Sequence, residues 1–192
     1  MDAFSSLKGK LKLDHKHRIL YGVVPMILTP RWFFVNVQKE LEKAGGLKLA
    51  REVYYQAGFE SAYKYCRTQR RVERLAGIET VRRYLSSMSI RGWGKFVITE
   101  MDEERGKGTF RLYRSGFSEE YGSVKRTVCH WVPGAMAGAV QEVVDAQGLS
   151  LQVKGRELKC RSKGDPCCEF VVSPIRKNPL TLPLAPRGTV SP

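Results

Sequence analysis

The sequence predicts an α+β domain, with helices in the first half and about four antiparallel strands in the second. Two observations carry this. Apolar residues recur three and four apart between Arg31 and Leu85, then fall into short strand-like runs after Trp93. With 192 residues and 42% apolar content, the chain also has the length and composition of one domain with its own core.

Residues 1–18 are rich in lysine and histidine and lack periodicity, so they read as a flexible basic arm. The domain proper is expected over 19–173. Residues 19–28 are apolar but broken by Gly22 and Pro25, as in an extended lead-in. Pro30 suits a helix start, and Phe33, Phe34, Val37, Leu41 and Ala44 then keep helical spacing up to Gly45-Gly46. A second helix carries Leu47, Ala50, Val53, Tyr54, Ala57 and Phe59 and continues toward Cys66. A third runs through Val72, Leu75, Ile78, Val81 and Leu85. Residues 93–99 and 109–113 read as strands joined by a charged turn, and 127–147 as a helix of small residues. The last strands are expected over 149–158 and 167–172. Residues 174–192 are proline-rich and read as a flexible tail.

Composition excludes several classes. The content of large apolar residues is too high for a disordered chain. The uncharged stretch over 19–30 falls short of the ~20 residues needed to span a bilayer. The N-terminus has no apolar signal core, so a cytoplasmic protein is expected. The net charge of +14 is clustered over 8–18, 64–83 and 154–177. Such clusters attract an acidic partner or an anionic surface, here through the basic arm. No helix-turn-helix, zinc-finger or ribonucleoprotein motif turns them into specific nucleic-acid recognition.

The most specific chemistry lies near the C-terminus. Glu157, Cys160, Cys167 and Cys168 fall within a dozen residues, Gly164-Asp165-Pro166 forms a turn between the cysteines, and Cys129 opens the small-residue helix. Three thiolates and one carboxylate suit Zn2+, and a site closed by four protein ligands is structural rather than catalytic. Two alternatives remain open in the ligand set. Cys167 could replace Cys168, and His130 could compete beside Cys129. With five cysteines and no secretory signal, a disulfide framework is not expected.

These residues resemble the 4-vinyl reductase (hydrocarbon-binding) domain family, and within it the sensory domains of phenol- and xylene-responsive transcription activators. The likeness rests on Cys129, the G-x-x-x-G of Gly134 and Gly138, Gly148, and the E-x-x-C of Glu157 and Cys160. The Gly164-Asp165 turn and Cys168-Glu169-Phe170 complete it. It covers roughly residues 30–173. The stretch between Gly138 and Glu157 is longer than in the aromatic sensors, and Cys167 is an additional thiol. The resemblance implies Cys129, Glu157, Cys160 and Cys168 as zinc ligands that clasp a C-terminal hairpin. It also implies a homodimer and a helical layer packed on the antiparallel sheet, with an apolar cavity between them. Tyr54, Phe59, Trp93, Phe96, Phe110 and Trp131 are the candidate lining.

No nucleophile-base-orienter set and no dinucleotide-binding glycine motif is visible, so catalysis has little support. The expected function is a non-enzymatic, zinc-stabilised domain that binds a hydrophobic or aromatic small molecule, as sensor or carrier. Two other readings remain. One is an accessory or catalytic reductase-related protein of tetrapyrrole or aromatic metabolism. The other is a dimeric scaffold like the subunits of trafficking complexes.

Overall fold

The computed structural model describes residues 11–175. The order of elements is β1 (Leu11–Leu13), β2 (Ile19–Tyr21), β3 (Val24–Met26), α1 (Arg31–Glu73), α2 (Ile78–Ile90), β4 (Lys95–Asp102), β5 (Lys107–Tyr113), α3 (Gly116–Tyr121), α4 (Trp131–Ala146), β6 (Val153–Lys159), a 3₁₀ turn (Arg161–Lys163) and β7 (Cys168–Pro174). The strands form two antiparallel sheets, ordered β1-β2-β3 and β4-β5-β7-β6. The fold class is α+β, as the sequence predicts. No helix among the described residues is long and apolar enough to cross a membrane.

Helix α1 begins after Pro30, whose extended backbone (ψ 148°) leads into the first turn. At Gly46 the φ of 76° breaks the helical geometry, and the chain resumes as a helix immediately afterwards. The expected boundary is therefore a kink. The second segment runs to Glu73 and buries Ala50, Tyr54, Gly58, Ala62, Tyr65 and Gln69 at three- and four-residue spacing, which fixes the face it turns inward. The third helix starts later than its periodicity suggests. Arg74 closes α1 in the left-handed conformation, and α2 starts at Ile78.

Helix α4 is the centre of the molecule. Every residue from Val132 to Val144 is buried, because α1 covers one side and the four-stranded sheet the other. The small residues make this possible. A Cβ on Gly134 would stand 2.0 Å from the Tyr55 carbonyl oxygen, and one on Gly138 would stand 2.2 Å from that of Phe59. On the opposite helix, a Cβ at Gly58 would stand 2.1 Å from the Trp131 carbonyl oxygen. Backbone therefore packs on backbone, at a separation only glycine allows.

Two segments depart from the sequence reading. Residues 11–13 and the turn that follows belong to the folded structure and not to a loose arm. The Asp14 carboxylate accepts hydrogen bonds from the backbone N–H of Lys16 and Arg18 and from Arg18 Nε, closing the turn into β2. Tyr21 is almost fully buried. The first ten residues and the expected tail beyond Ile175 lie outside the described residues. The helix expected over 127–147 spans only Trp131–Ala146, which leaves Cys129 in the extended approach to it. Part of the basic cluster over 64–83 is internally neutralised, because Arg83 forks onto Glu73 and Arg70 reaches the buried Glu142.

Candidate functional site

The strand pleat aims two members of the cysteine cluster inward. Val153, Gly155 and Glu157 occupy the core-facing positions of β6, and Cys168, Phe170 and Val172 those of β7. Just past Glu157 a register shift in the β6–β7 pairing marks the end of regular ladder. The chain then turns at Cys160. The Asp165 carboxylate accepts the Cys160 N–H at 2.8 Å, and the Cys160 carbonyl accepts from Lys163 and Asp165. The Gly164-Asp165 turn thereby presents Cys160 opposite Cys168.

Cys129 enters from the other side of the core. Its backbone N–H donates to Glu157 Oε2 at 3.1 Å, and its Sγ lies 3.6 Å from Ser115 Oγ. One ligand atom from each of Cys129, Glu157, Cys160 and Cys168 falls within 4.8 Å of all the others. The Sγ atoms of Cys129 and Cys168 are 3.8 Å apart, and those of Cys168 and Cys160 are 4.0 Å apart. All three sulfurs are buried, and Glu157 Oε1 is a buried acceptor with no hydrogen-bond partner.

The electrostatics are those of groups competing for too few protons. Hydrogen bonds from Cys129 and Cys160 favour a thiolate at Cys168 and pull its pKa down to about 4. Sharing with Cys160 and Cys168 holds Cys129 well up, and burial pushes the Glu157 carboxyl well up. A cation at the centre would displace these protons and give the orphaned oxygen a partner. The cluster could therefore hold a metal ion, with donor chemistry that suits a thiophilic one.

The two alternative ligands lie elsewhere. Cys167 is buried just ahead of β7 and outside the cluster. His130 turns away from the sulfurs, with Nε2 3.4 Å from Glu42 Oε1. Burial, reinforced by Arg51 and Arg126, holds the imidazole down to about 4 and therefore neutral. Cys66 sits in the core on α1.

Beside the cluster, between α1, α2 and the start of α4, lies a cavity of about 260 Å³. Of the six aromatic residues singled out from the sequence, Tyr54, Trp93 and Trp131 line it. Phe110 and Phe96 are packed into the core, and Phe59 stacks on Tyr63 at a different surface hollow. Phe34, Tyr65, Tyr84, Met88 and Arg91 complete the aromatic and polar lining and were not singled out. Their helical periodicity marked α1 and α2 as amphipathic, but not which buried side chains border empty space.

The Trp93 and Trp131 rings are 4.5 Å apart, and Phe34 packs on Trp93 at 5.4 Å. Two lining hydroxyls are already engaged. Tyr54 donates to the Phe34 carbonyl at 2.6 Å, and Tyr65 pairs with Ser87 at 2.7 Å. The indole Nε1–H of Trp131 is buried and has no acceptor. Trp131 follows Cys129 by two residues, so the cluster and the cavity share one short stretch of backbone.

Comparisons with known proteins agree with this arrangement. A model for a domain of unknown function, DUF5943, matches residues 11–99, and the model of the 4-vinyl reductase domain matches residues 109–174. Among solved structures, the phenol-responsive sensory domain of the transcription activator PoxR, determined with phenol, is similar at 21% identity. Its TM-score is 0.72 over 90% of this chain and 89% of that one. A trafficking protein particle complex subunit 3 from Naegleria fowleri, covalently bound to palmitic acid, has 13% identity and a TM-score of 0.51, covering 76% of this chain and 92% of its own. A vinyl-4-reductase family protein from Methanocaldococcus jannaschii has 15% identity and a TM-score of 0.51, covering 79% and 85%. A sequence search of curated proteins returned no match. At these identities the structural likenesses establish the fold. Through residues 109–174, the stretch that carries all four members of the cluster, the chain belongs to the 4-vinyl reductase domain family.

Proposed function

We propose that this chain is a small-molecule-binding domain of the sensory or carrier type, stabilised by a structural zinc ion and without catalytic activity of its own. The observation that carries this reading is the cavity itself. It is a hollow walled by Phe34, Tyr54, Trp93 and Trp131, with a buried, unpartnered indole N–H facing no protein acceptor. Ligand sites are mostly apolar, with a few placed polar groups, and run to about 300 Å³ and above. A cavity of about 260 Å³ suits a one- or two-ring compound. The PoxR domain, similar in fold, was determined with phenol, which supports an aromatic ligand here too.

The zinc reading rests on the donor set and its spacing. Two sulfurs on one tetrahedral zinc, each at about 2.3 Å, stand about 3.8 Å apart. The sulfur separations of 3.8 and 4.0 Å suit that ion without rearrangement. With Cys129, Cys160, Cys168 and Glu157 as ligands, no position stays open for substrate. The ion would tie the approach to α4 to the β6–β7 hairpin and so hold Trp131 at the cavity wall.

Native mass spectrometry of the full chain tests both parts. The expected result is about one zinc per subunit, with mass added by phenol or a related aromatic. A folded, metal-free protein that takes up no aromatic would overturn the proposal.

A further inference from the structure

Arg91 is the one charged side chain lining the aromatic cavity, and its surroundings do not neutralise it. It caps the C-terminal end of α2 and is half-buried. Its guanidinium donates to the Ser87 carbonyl from Nε at 3.3 Å, and to the thioether sulfurs of Met88 and Met26 at 2.6 and 3.8 Å. It also lies 5.3 Å from the centre of the Tyr65 ring. No carboxylate pairs with it among the described residues, although other arginines here find one, including Arg70, Arg83, Arg111 and Arg126. Thioethers are weak acceptors and a ring face compensates a cation only in part. A guanidinium on the wall of an apolar hollow therefore keeps unused capacity to bind an anion.

The cavity's other free polar group has the same sense. Trp131 Nε1–H is a donor without an acceptor, while the lining hydroxyls of Tyr54 and Tyr65 are already committed. Two donors among aromatic walls match a flat ring that carries an acceptor with more than one oxygen. The position of Arg91 fits entry from outside as well. Phe34, Arg91 and Trp93 also border an outer apolar groove, whose other wall includes Met26, Ile27 and Leu28. Arg91 thus stands between the inner cavity and the route by which a ligand would reach it.

We propose that Arg91 makes this cavity selective for aromatic carboxylates over neutral aromatic compounds, the guanidinium taking the carboxylate while the ring lies between Phe34, Trp93 and Trp131. This rests on the cavity being a ligand site and narrows what that site accepts. Arginine binds a carboxylate through two parallel N–H donors, and does so most effectively where water is scarce.

The test compares phenylacetate with its neutral counterpart phenylacetamide, and with phenol, at pH 7. Trp93 and Trp131 in the cavity wall provide a fluorescence readout, with calorimetry as a second measure. The wild-type protein should bind phenylacetate at least tenfold more tightly than phenylacetamide. Arg91→Gln should reduce that preference to less than threefold, and Arg91→Lys should retain part of it. Equal or tighter binding of the amide by the wild type would overturn the inference, as would a tenfold preference surviving in Arg91→Gln. If Arg91→Gln does not fold, the wild-type and Arg91→Lys comparison decides. Binding of phenol or the amide without phenylacetate overturns this inference and leaves the small-molecule reading intact. No binding of any of the three overturns both.

Discussion

The Sγ of Cys129 lies 3.8 Å from the Sγ of Cys168, although the two are 39 positions apart with α4 and β6 between them. Neither residue is in a helix, and only Cys168 is in a strand. Their approach depends on α4 lying across the sheet, because the chain reaches Cys129 just before the helix and Cys168 at the start of β7. Glu157 closes the same gap from β6 by accepting the Cys129 N–H. The cluster is thus a junction between the two layers, and a metal bound there would contribute its free energy to folding.

Removing one ligand should therefore release the ion and loosen that junction. Cys160→Ser is expected to bring zinc content from about one per chain to near zero and lower the Tm by more than about 10 °C. Cys167→Ser, outside the cluster, should keep the metal and shift the Tm by no more than about 3 °C. Cys66→Ser should retain the metal too, although burying a hydroxyl in the core costs about 1–3 kcal/mol. Elemental analysis after dialysis, alongside thermal melts, separates the three variants. Retention of zinc in Cys160→Ser would exclude this ligand set.

The contact between α1 and α4 predicts opposite outcomes for two chemically identical substitutions. In Gly134→Ala the new methyl meets the Tyr55 backbone carbonyl, which cannot move without displacing the helix. A loss of about 1–3 kcal/mol or more is expected from overpacking. In Gly45→Ala the nearest atoms belong to the exposed Leu49 side chain, which can turn away. The helix-favouring effect of alanine, up to about 1 kcal/mol, should then prevail. Urea midpoints of the two variants give the comparison, and equal destabilisation would mean that the helices are not held at backbone contact.

The cysteine cluster was legible in the sequence because its chemistry is local. Glu157, Cys160 and Cys168 sit on two strands joined by one recognisable turn, so spacing alone brings them together. The first sheet was not legible. Lys12, His15, Lys16 and His17 make residues 11–17 read as a solvated arm, whereas Tyr21 and the Asp14 turn give that segment its folded anchor. Helix α3 escaped for a different reason, since six residues are too few to show a period. The cavity was half legible. Large aromatic residues mark a core, and it takes the crossing of α1 and α2 to decide that Trp93 borders a void while Phe110 fills one.

Acid sensitivity should be traceable to Glu42. Burial alone would raise its pKa, but hydrogen bonds from Arg126, Tyr121 and Gln38 outweigh that and hold the carboxyl below its ordinary value. A carboxyl lowered in the folded state stabilises the fold above its unfolded pKa, about 4.3, and loses that contribution as pH falls through the folded value. Glu42→Gln should therefore lower the urea midpoint clearly at pH 7, where a partly buried Arg126 loses its partner. Below about pH 3.5 the variant and wild type should converge. A stability difference independent of pH would show that Glu42 acts through packing and not through its charge.

Trp131 links the cluster to the cavity, and its two contributions can be separated. Trp131→Phe keeps an aromatic wall beside Trp93 but removes the buried N–H that has no protein acceptor. One neutral hydrogen bond is worth about 0.5–1.5 kcal/mol, so affinity for a ring bearing an oxygen acceptor should fall roughly three- to tenfold. Toluene, which offers no acceptor, should bind the variant at least as well as the wild type, because a polar group without a partner has gone. Calorimetric titration of phenol and toluene into both proteins measures the difference. A uniform loss for the two ligands would assign Trp131 to shape alone, while an unchanged phenol affinity would place the ligand away from the indole nitrogen.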